Sequence, residues 1–213
     1  MVSRIAVARQ AWQRLYSKRG LHYGGSGDTG MLRPLLRKDS LVLDAGCGDG
    51  KMTEALARNS EVVGCDFSRE ALVKLREQRD RDIDVNLVEC DITHLPFVAE
   101  KFDLVSCVHA LSHMQSDDRS RAAAELSGVV KTGGHVFVEV FGRGDIRFGE
   151  GEEVEAFSFR RGDGIVTHYF QEGEVPSLFR SLQTMSELGL MRRVVYGAVA
   201  GKRDLLRVLM KKV

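Results

Sequence analysis

The stretch at residues 41–51, LVLDAGCGDGK, constrains the fold of this chain more than any other part. Three apolar residues lead to Asp44, three glycines follow at alternate positions, and an apolar pattern with helical spacing begins at Lys51. The apolar run predicts a buried parallel strand, and the glycines predict a tight loop whose backbone comes close to a ligand. A strand, a glycine loop and a helix N-terminus in this order are typical of a nucleotide pocket.

Length and composition indicate an ordinary globular protein. The 213 residues suit one domain, and the chain is 43% apolar and 29% charged. A net charge of +1 argues against a global attraction to nucleic acid or membrane. Residues 1–19 nevertheless contain five basic and no acidic residues. This segment is either a solvated face or an edge that faces RNA or another anion.

The four cysteines form no CxxC pair, so the sequence predicts no zinc site and no other metal site. Each cysteine lies at or near the end of an apolar run, which favours buried thiols in a reducing cytoplasm. No apolar run approaches 18 residues, so we expect no membrane span. Residues 1–20 lack a continuous apolar core, so we expect no signal peptide. The four residues are Cys47, Cys65, Cys90 and Cys107.

Predicted strands and helices alternate through the first two thirds of the chain. The chain begins with a predicted amphipathic helix at residues 3–19 and a short helix at 31–37. Strands and helices then alternate, and Ser68 is the predicted N-cap of a helix over about 69–80. This alternation predicts a parallel sheet with helices on both faces. The predicted strands end near residues 43, 65, 89, 108 and 141, and further helices span 51–58 and from 117 to the glycines at 133–134.

Two segments depart from this pattern. The glycine-rich residues 21–30 precede the first strand within an N-terminal region, 1–39, and form either a lid that brings Tyr23 over a site or a plain linker. Residues 142–170 are too long for a simple connection. Because they follow the fifth strand at the edge where open parallel sheets bind ligands, we predict a substrate-covering insert with a hairpin around 154–167. A surface excursion is the alternative.

The C-terminal pattern predicts a helix from residue 173 to about 188, followed by two strands at 191–199 and 205–210. Residues 200–203, AGKR, carry a hairpin signal between these strands. We therefore expect the last strand to be antiparallel to its neighbours.

Acidic residues end the first three predicted strands. The glycine loop does not match G-x-G-x-x-G, because Lys51 stands where the third glycine would lie. Asp66 lies where a carboxylate accepts both ribose hydroxyls, and Asp91 can accept a hydrogen bond from an adenine amine, with Phe67 and Ile92 beside the ring. Together with Asp44, which suits a positive centre, these residues predict an adenosine ligand without phosphate.

These segments resemble the motifs of class I S-adenosylmethionine-dependent methyltransferases. LVLDAGCGDG, VVGCDFS, DITHLPF, FDLVSCVHALSHM and VVKTGGHVFVEV are similar to five family motifs in the right order, over about residues 40–141. The resemblance implies an α/β Rossmann-like seven-stranded sheet in the order 3-2-1-4-5-7-6, with strand 7 antiparallel, in a single domain over 1–213. It also implies S-adenosyl-L-methionine as cofactor. The implied cofactor-binding residues are Asp44, Gly46, Cys47, Gly48, Asp66, Phe67, Asp91, Ile92, Ser106, Cys107, Val108 and Tyr23.

A narrower, distant similarity connects the chain with wobble-uridine tRNA methyltransferases. It rests on GCGDGK, GCD-x-S, LPF, the HAL-SHM segment and HYF-x-EGEV. The chain departs from that pattern at Ser112-His113, where those enzymes have paired histidines, and at residues 205–207, where they have an asparagine and a tryptophan.

Three histidines near the carboxyl edge, His109, His113 and His168, are the candidate catalytic bases. His113 is alternatively a hydrogen-bonded structural histidine that fixes its loop, and His168 is alternatively a residue of a hairpin or a helix entry. A nucleophilic Cys47 is disfavoured, because Asp44 and Asp49 oppose a thiolate. Four arginines of the insert either clamp an anionic acceptor or pair with nearby acids: Arg143, Arg147, Arg160 and Arg161.

The leading functional hypothesis is methyl transfer to a small-molecule acceptor, because the insert is net acidic and lacks a basic, aromatic surface for RNA. The basic ends keep a tRNA acceptor as a second hypothesis. A non-catalytic S-adenosylmethionine-binding subunit is the third hypothesis, and a nicotinamide-dependent oxidoreductase is the fourth. The sequence leaves the oligomeric state open.

Overall fold

A computed structural model describes residues 4–18, 27–78, 84–196 and 199–213. One sheet of seven strands forms its centre, in the order β3-β2-β1-β4-β5-β10-β9. The first five strands are parallel, and β10 is antiparallel to both β5 and β9. The strands are β1 (Leu41–Ala45), β2 (Glu61–Asp66), β3 (Val85–Glu89), β4 (Phe102–Val108), β5 (Val130–Phe141), β9 (Gln183–Tyr196) and β10 (Val199–Lys211). The expected sheet order and the antiparallel last strand are confirmed.

Alternation along the strands places helices on both faces of the sheet. Val42 and Leu104 pack with Leu56 of α2 on one face, whereas the next residues, Leu43 and Val105, belong to the core on the other face. That second core also contains residues of α4 and α5. The helices are α1 (Arg4–Lys18), α2 (Lys51–Ala57), α3 (Arg69–Gln78), α4 (Ser116–Val129) and α5 (Glu174–Leu178), with 3-10 turns at Arg33–Leu35 and Ala110–His113.

The insert (residues 142–170) contains a small antiparallel sheet of its own. Its strands are β6 (Glu152–Glu155), β7 (Ser158–Arg160) and β8 (Val166–His168), so the predicted hairpin is part of a three-stranded unit. Ile165 packs in one cluster with Trp12 of α1 and Ala71 of α3. The insert and α1 therefore meet above the glycine-loop end of the sheet.

Two predictions for the C-terminal region are wrong. The helix expected to reach residue 188 ends at Leu178, and the next strand begins at Gln183, because residues 183–196 pair with β10 along its length. Met185 and Leu188, within the helix that the sequence predicts, are both about half exposed, so they do not form a buried helix face. The expected turn at residues 200–203 lies inside the ladder, paired with residues 192–195.

Other element ends shift by smaller amounts. The helix expected to reach Gly133-Gly134 ends at Val129, and β5 begins at Val130 because Phe102 pairs with that residue. The short helix expected at 31–37 is only the 3-10 turn Arg33–Leu35, with Pro34 in its first positions. None of the described helices has the length and apolar character that a membrane span needs.

Candidate functional site

A cavity of about 520 Å³ opens at the carboxyl ends of the parallel strands. This volume lies within the usual range of small-molecule sites. The sheet edge, α1 and the insert supply its walls. Most of the predicted site residues meet there: Asp44, Gly46, Cys47, Gly48, Asp66, Phe67, Asp91, Ile92, Val108, His109 and His113.

Asp44, in β1, is a buried carboxylate at the floor of the cavity. The hydroxyl of Thr53 in α2 donates a 2.7 Å hydrogen bond to its Oδ2. Burial raises the pKa of Asp44 to about 6, although the Thr53 hydrogen bond acts in the opposite direction. At neutral pH the carboxylate is therefore mostly ionised but poorly solvated, which favours a cationic ligand group beside it.

Asp66, at the end of β2, holds the glycine loop through its carboxylate. The backbone N–H of Gly48 donates to Oδ2 at 2.9 Å, and that of Ser68 donates to Oδ1 at 2.8 Å. Burial raises the pKa of Asp66 to about 6, against these hydrogen bonds. Each carboxylate oxygen retains a second acceptor direction, so this geometry is compatible with additional hydroxyl donors such as those of a ribose.

Gly46 makes the sharp turn out of β1 with a φ of +73°. A Cβ atom at this position would lie 2.5 Å from the Cβ of Ala110, in the turn that follows β4. Only a residue without a side chain allows the two segments to approach this closely while the loop backbone lines the cavity.

Asp91 and its neighbours form the wall beyond β3. The backbone N–H and the hydroxyl of Thr93 both donate to Asp91 Oδ1 at 2.9 Å, which fixes the carboxylate in a local turn. Ile92 is buried next to it, and Phe67 faces the same cavity from the end of β2. This wall thus combines one carboxylate with two apolar side chains, as the sequence predicts for an adenine site.

The remaining predicted cofactor residues differ in position. Cys47 lines the cavity, and burial, followed by Asp66 and Asp44, raises the pKa of its thiol. The thiol therefore stays protonated and is a poor nucleophile. Ser106 and Cys107 are fully buried within β4 and do not line the cavity, whereas Val108 does. Tyr23 lies outside the described residues.

His109 follows β4 with a φ of +62°. Its Nε2 lies 3.2 Å from Oε1 of the buried Glu139, and its ring stacks on Phe141 with centroids 4.3 Å apart. Burial lowers the pKa of His109 well below the usual value, and the nearby His113 and Arg203 act in the same direction. His109 is thus a neutral ring held between strands β4 and β5.

His113 lies at the end of the 3-10 turn after β4 and also lines the cavity. Its Nδ1 lies 3.0 Å from the carbonyl oxygen of Val166 in the insert, so this nitrogen carries the proton and donates. Its buried Nε2 has no hydrogen-bond partner among the described residues. Burial lowers the pKa of His113 to about 4, which leaves a lone pair on Nε2 at neutral pH.

His168 does not line the cavity. It is buried in β8, where its Nδ1 lies 2.7 Å from the hydroxyl oxygen of Ser158 and its Nε2 lies 2.6 Å from Glu174 Oε1. Ser158 is fully buried and its hydroxyl donates to Glu155, so the contacts among Ser158, His168 and Glu174 leave no open position for a substrate. The arrangement ties the insert to α5.

The arginines of the insert are mostly engaged with acids. Arg143 pairs with Glu174, Arg160 with Glu152 and Arg161 with Asp163. Only Arg160 of the four lines the cavity. These contacts favour the interpretation of acid-paired arginines over an anion clamp.

Sequence reasoning did not assign several cavity residues. Trp12 of α1 packs edge-on against His113, with ring centroids 4.8 Å apart. A group of four charged residues also lines the cavity. Glu139 and Arg207 interrupt the apolar runs HVFVEVF and LLRVLM, a signal that predicts two buried charges in need of partners. They are paired with each other, and Asp28 and Arg192 complete the group.

The residues present fit S-adenosyl-L-methionine. The carboxylates of Asp44, Asp66 and Asp91 converge on one cavity with a glycine-loop floor, which suits an adenosine ligand that carries a cationic group. Within the described residues, no group of three or more histidine, cysteine or acidic side chains is arranged to hold a metal ion.

Comparison with known proteins identifies the same class. Residues 42–134 match the family model described as a methyltransferase domain. The tRNA N(3)-methylcytidine methyltransferase Mettl2 of Drosophila melanogaster is 28% identical over 163 residues, which cover 70% of this chain and 49% of that protein. The ubiquinone biosynthesis O-methyltransferase of Coxiella burnetii is 32% identical over 108 residues, covering 50% of this chain and 45% of that protein. The chain thus spans less than half the length of these relatives.

Solved structures share the fold. A SAM-dependent methyltransferase from Anabaena variabilis superimposes with a TM-score of 0.76 at 14% identity, covering 100% of this chain and 96% of that chain. One from Methanosarcina mazei gives a TM-score of 0.71 at 20% identity, covering 86% and 97%. The motif order, the sheet topology and the family match over residues 42–134 together support a class I S-adenosylmethionine-dependent methyltransferase.

Proposed function

We propose that this protein transfers the methyl group of S-adenosyl-L-methionine to a small-molecule acceptor. The observation that carries the proposal is the convergence of Asp44, Asp66 and Asp91, from three adjacent strand ends, on one cavity. Bound there, the cofactor supplies a methyl group on a cationic sulfonium. Asp66 and Asp91 then hold the ribose and the adenine, and Asp44 provides negative charge near the cationic end.

The walls of the cavity support a small acceptor. Trp12 of α1 and Val166 of the insert line the cavity above the sheet, so apolar side chains are available to pack against a small acceptor. In this proposal residues 1–213 act as one domain, and the insert covers the substrate. Ser106 and Cys107 act behind Val108 as support for the methionine end.

His113 is the proposed base for an acceptor hydroxyl or amine. Its Nδ1 proton is committed to the Val166 carbonyl, so the unpartnered Nε2 is the nitrogen that can accept a proton. His109 supports the turn that carries His113 and contacts Glu139. His168, which is remote from the cavity lining, has no part in this step.

A tRNA acceptor is the second candidate, because two of the similar proteins are tRNA methyltransferases, from Drosophila melanogaster and Mus musculus. The basic residues of α1 are the local feature that favours it. A non-catalytic S-adenosylmethionine-binding subunit is the third, and one structural neighbour is a putative methyltransferase in complex with the Trm112 activator of Haloferax volcanii.

Labelled methyl transfer separates these candidates. The protein is incubated with S-adenosyl-L-methionine carrying a labelled methyl and with RNA and metabolite pools kept apart. Label in the metabolite pool supports the proposal, and label in RNA, with binding that weakens steeply with salt, supports the tRNA candidate. Cofactor binding without label in either pool supports a non-catalytic subunit.

The cofactor site has its own test. Asp66→Ala removes the carboxylate that holds the Gly48 and Ser68 amides, and we expect cofactor affinity to fall by at least about tenfold. Asp39→Ala, at an exposed position, is the matched control. Unchanged affinity in Asp66→Ala would refute the assignment of the site.

A further inference from the structure

Two arginines at the cavity share one carboxylate oxygen. Arg192 of β9 and Arg207 of β10 each donate from a guanidinium nitrogen to Oδ2 of Asp28 at 2.9 Å. All three residues line the cavity. We call Asp28, Arg192 and Arg207 the arginine clamp.

Each arginine at and beside the clamp has an acidic partner. Arg207 also donates from Nε to Glu139, and the neighbouring Arg203 pairs with the buried Asp145. Glu139 and Asp145 are buried acids of β5 and the insert, and they offset two of the three arginines. Asp28, from the segment before the sheet, supplies the third negative charge.

Asp28 is the replaceable member of the clamp. Its side chain is 42% exposed, whereas that of Arg207 is only 10% exposed. Its other oxygen, Oδ1, accepts a local hydrogen bond from the Gly30 amide. The buried arginine is therefore held in place by the sheet, and the carboxylate that covers it comes from an accessible loop.

The clamp also lies close to the proposed acceptor position. Glu139 contacts Arg207 through Oε2 and lies 3.2 Å from His109 Nε2 through Oε1. His109 follows β4 and lines the same cavity as His113. Glu139 therefore contacts both Arg207 of the clamp and His109, the residue that follows β4.

We propose that the acceptor carries a carboxylate that binds Arg192 and Arg207 in place of Asp28. This inference rests on the proposed function and specifies its substrate class. This carboxylate positions the acceptor and is not the group that is methylated, because hydrogen bonds to two guanidinium groups reduce its nucleophilicity. The methyl group goes to another atom of the acceptor, whose apolar body packs near Trp12 and Phe137.

Binding of benzoate, compared with benzamide as its neutral counterpart, tests the clamp. Trp12 is the only tryptophan and lines the cavity, so its fluorescence reports binding in the presence of S-adenosylhomocysteine. Asp28→Asn keeps an oxygen for the Gly30 amide and removes the competing charge. We expect benzoate to bind this variant about tenfold more tightly than the unmodified protein, and benzamide to bind both equally.

Arg192→Gln in the Asp28→Asn background should reduce benzoate affinity at least fivefold. The matched control is Arg193→Gln, at the adjacent exposed position, which should leave benzoate affinity unchanged. Equal benzoate affinity in Asp28→Asn and the unmodified protein, or an equal gain in benzamide affinity, would overturn the proposed carboxylate site. Asp28 would then be a structural residue that holds the two arginines. Failure of S-adenosylhomocysteine to bind would contradict the proposed function itself, so the two failures are distinguishable.

Discussion

The hydroxyl of Thr53 donates a 2.7 Å hydrogen bond to the buried carboxylate of Asp44 and joins the first turns of α2 to the end of β1. Despite this donor, burial raises the pKa of Asp44 to about 6. The ionised carboxylate of Asp44 thus suits a cationic ligand, but its burial destabilises the folded protein when no ligand is bound.

Cofactor affinity should depend on pH through Asp44 and Asp66. Because binding of a cation favours the ionised carboxylate, protonation below the pKa of about 6 competes with the ligand. We expect S-adenosyl-L-methionine to bind at least about tenfold more weakly at pH 5 than at pH 7.5. Calorimetry at the two pH values measures this. Asp44→Asn should bind more weakly at pH 7.5 and show a smaller pH dependence; the same dependence in both proteins would exclude Asp44 as a titrating group.

The same substitution should stabilise the free protein at neutral pH. The folded-state pKa of Asp44, about 6, exceeds the unfolded value of about 3.9. A raised pKa favours folding below about pH 4, and that contribution is lost as the pH rises through 6. Asp44→Asn should therefore increase the free energy of unfolding at pH 7.5 by about 1–3 kcal/mol. Urea unfolding should show a smaller gain at pH 4.5; a gain independent of pH would contradict this explanation.

Gly46→Ala should disrupt the glycine loop. A Cβ atom would lie 2.5 Å from Ala110 Cβ, and the φ of +73° disfavours any side chain by about 1–2 kcal/mol. We expect affinity for S-adenosylhomocysteine to fall at least about tenfold. Gly46→Ala combined with Ala110→Gly relieves the contact but not the backbone strain, so it should recover part of the lost affinity. No recovery in the double variant would show that the backbone alone is responsible.

His113 and His168 should respond differently to substitution. His113→Gln removes the buried, unpartnered Nε2, and we expect methyl transfer to the acceptor fraction to fall by about 100-fold or more. His168→Phe breaks the buried contacts to Ser158 and Glu174, and we expect the free energy of unfolding to fall by about 1–3 kcal/mol. Labelled methyl transfer and urea unfolding, applied to both variants, test this distinction. A loss of methyl transfer in a stable, folded His168→Phe variant would contradict this prediction and indicate that His168 takes part in the reaction.

Local patterns in the sequence predicted the acidic strand ends that line the cavity. Each of Asp44, Asp66 and Asp91 lies within two residues of the end of an apolar run, and the parallel order of the strands brings the three ends to one edge. This inference needed only the period of the apolar residues and the position of the glycines, which are properties of neighbouring residues. The same reasoning predicted β3 and β4 with their observed bounds.

Tertiary structure decided the C-terminal strands and the side-chain contacts around the rest of the cavity. Helical spacing at Met185 and Leu188 was overridden by pairing with β10, since a ladder partner, and not the local pattern, determines whether such a segment is extended. Packing also gives two of the candidate histidines different environments. The Nε2 of His113 has no hydrogen-bond partner among the described residues, whereas both ring nitrogens of His168 have one. Asp28 meets Arg192 and Arg207 across 164 and 179 residues of chain, a contact that exists only because the β9–β10 hairpin folds back beside β5. Sequence periodicity reports which face of an element is buried, but it carries no information about which distant charges meet there.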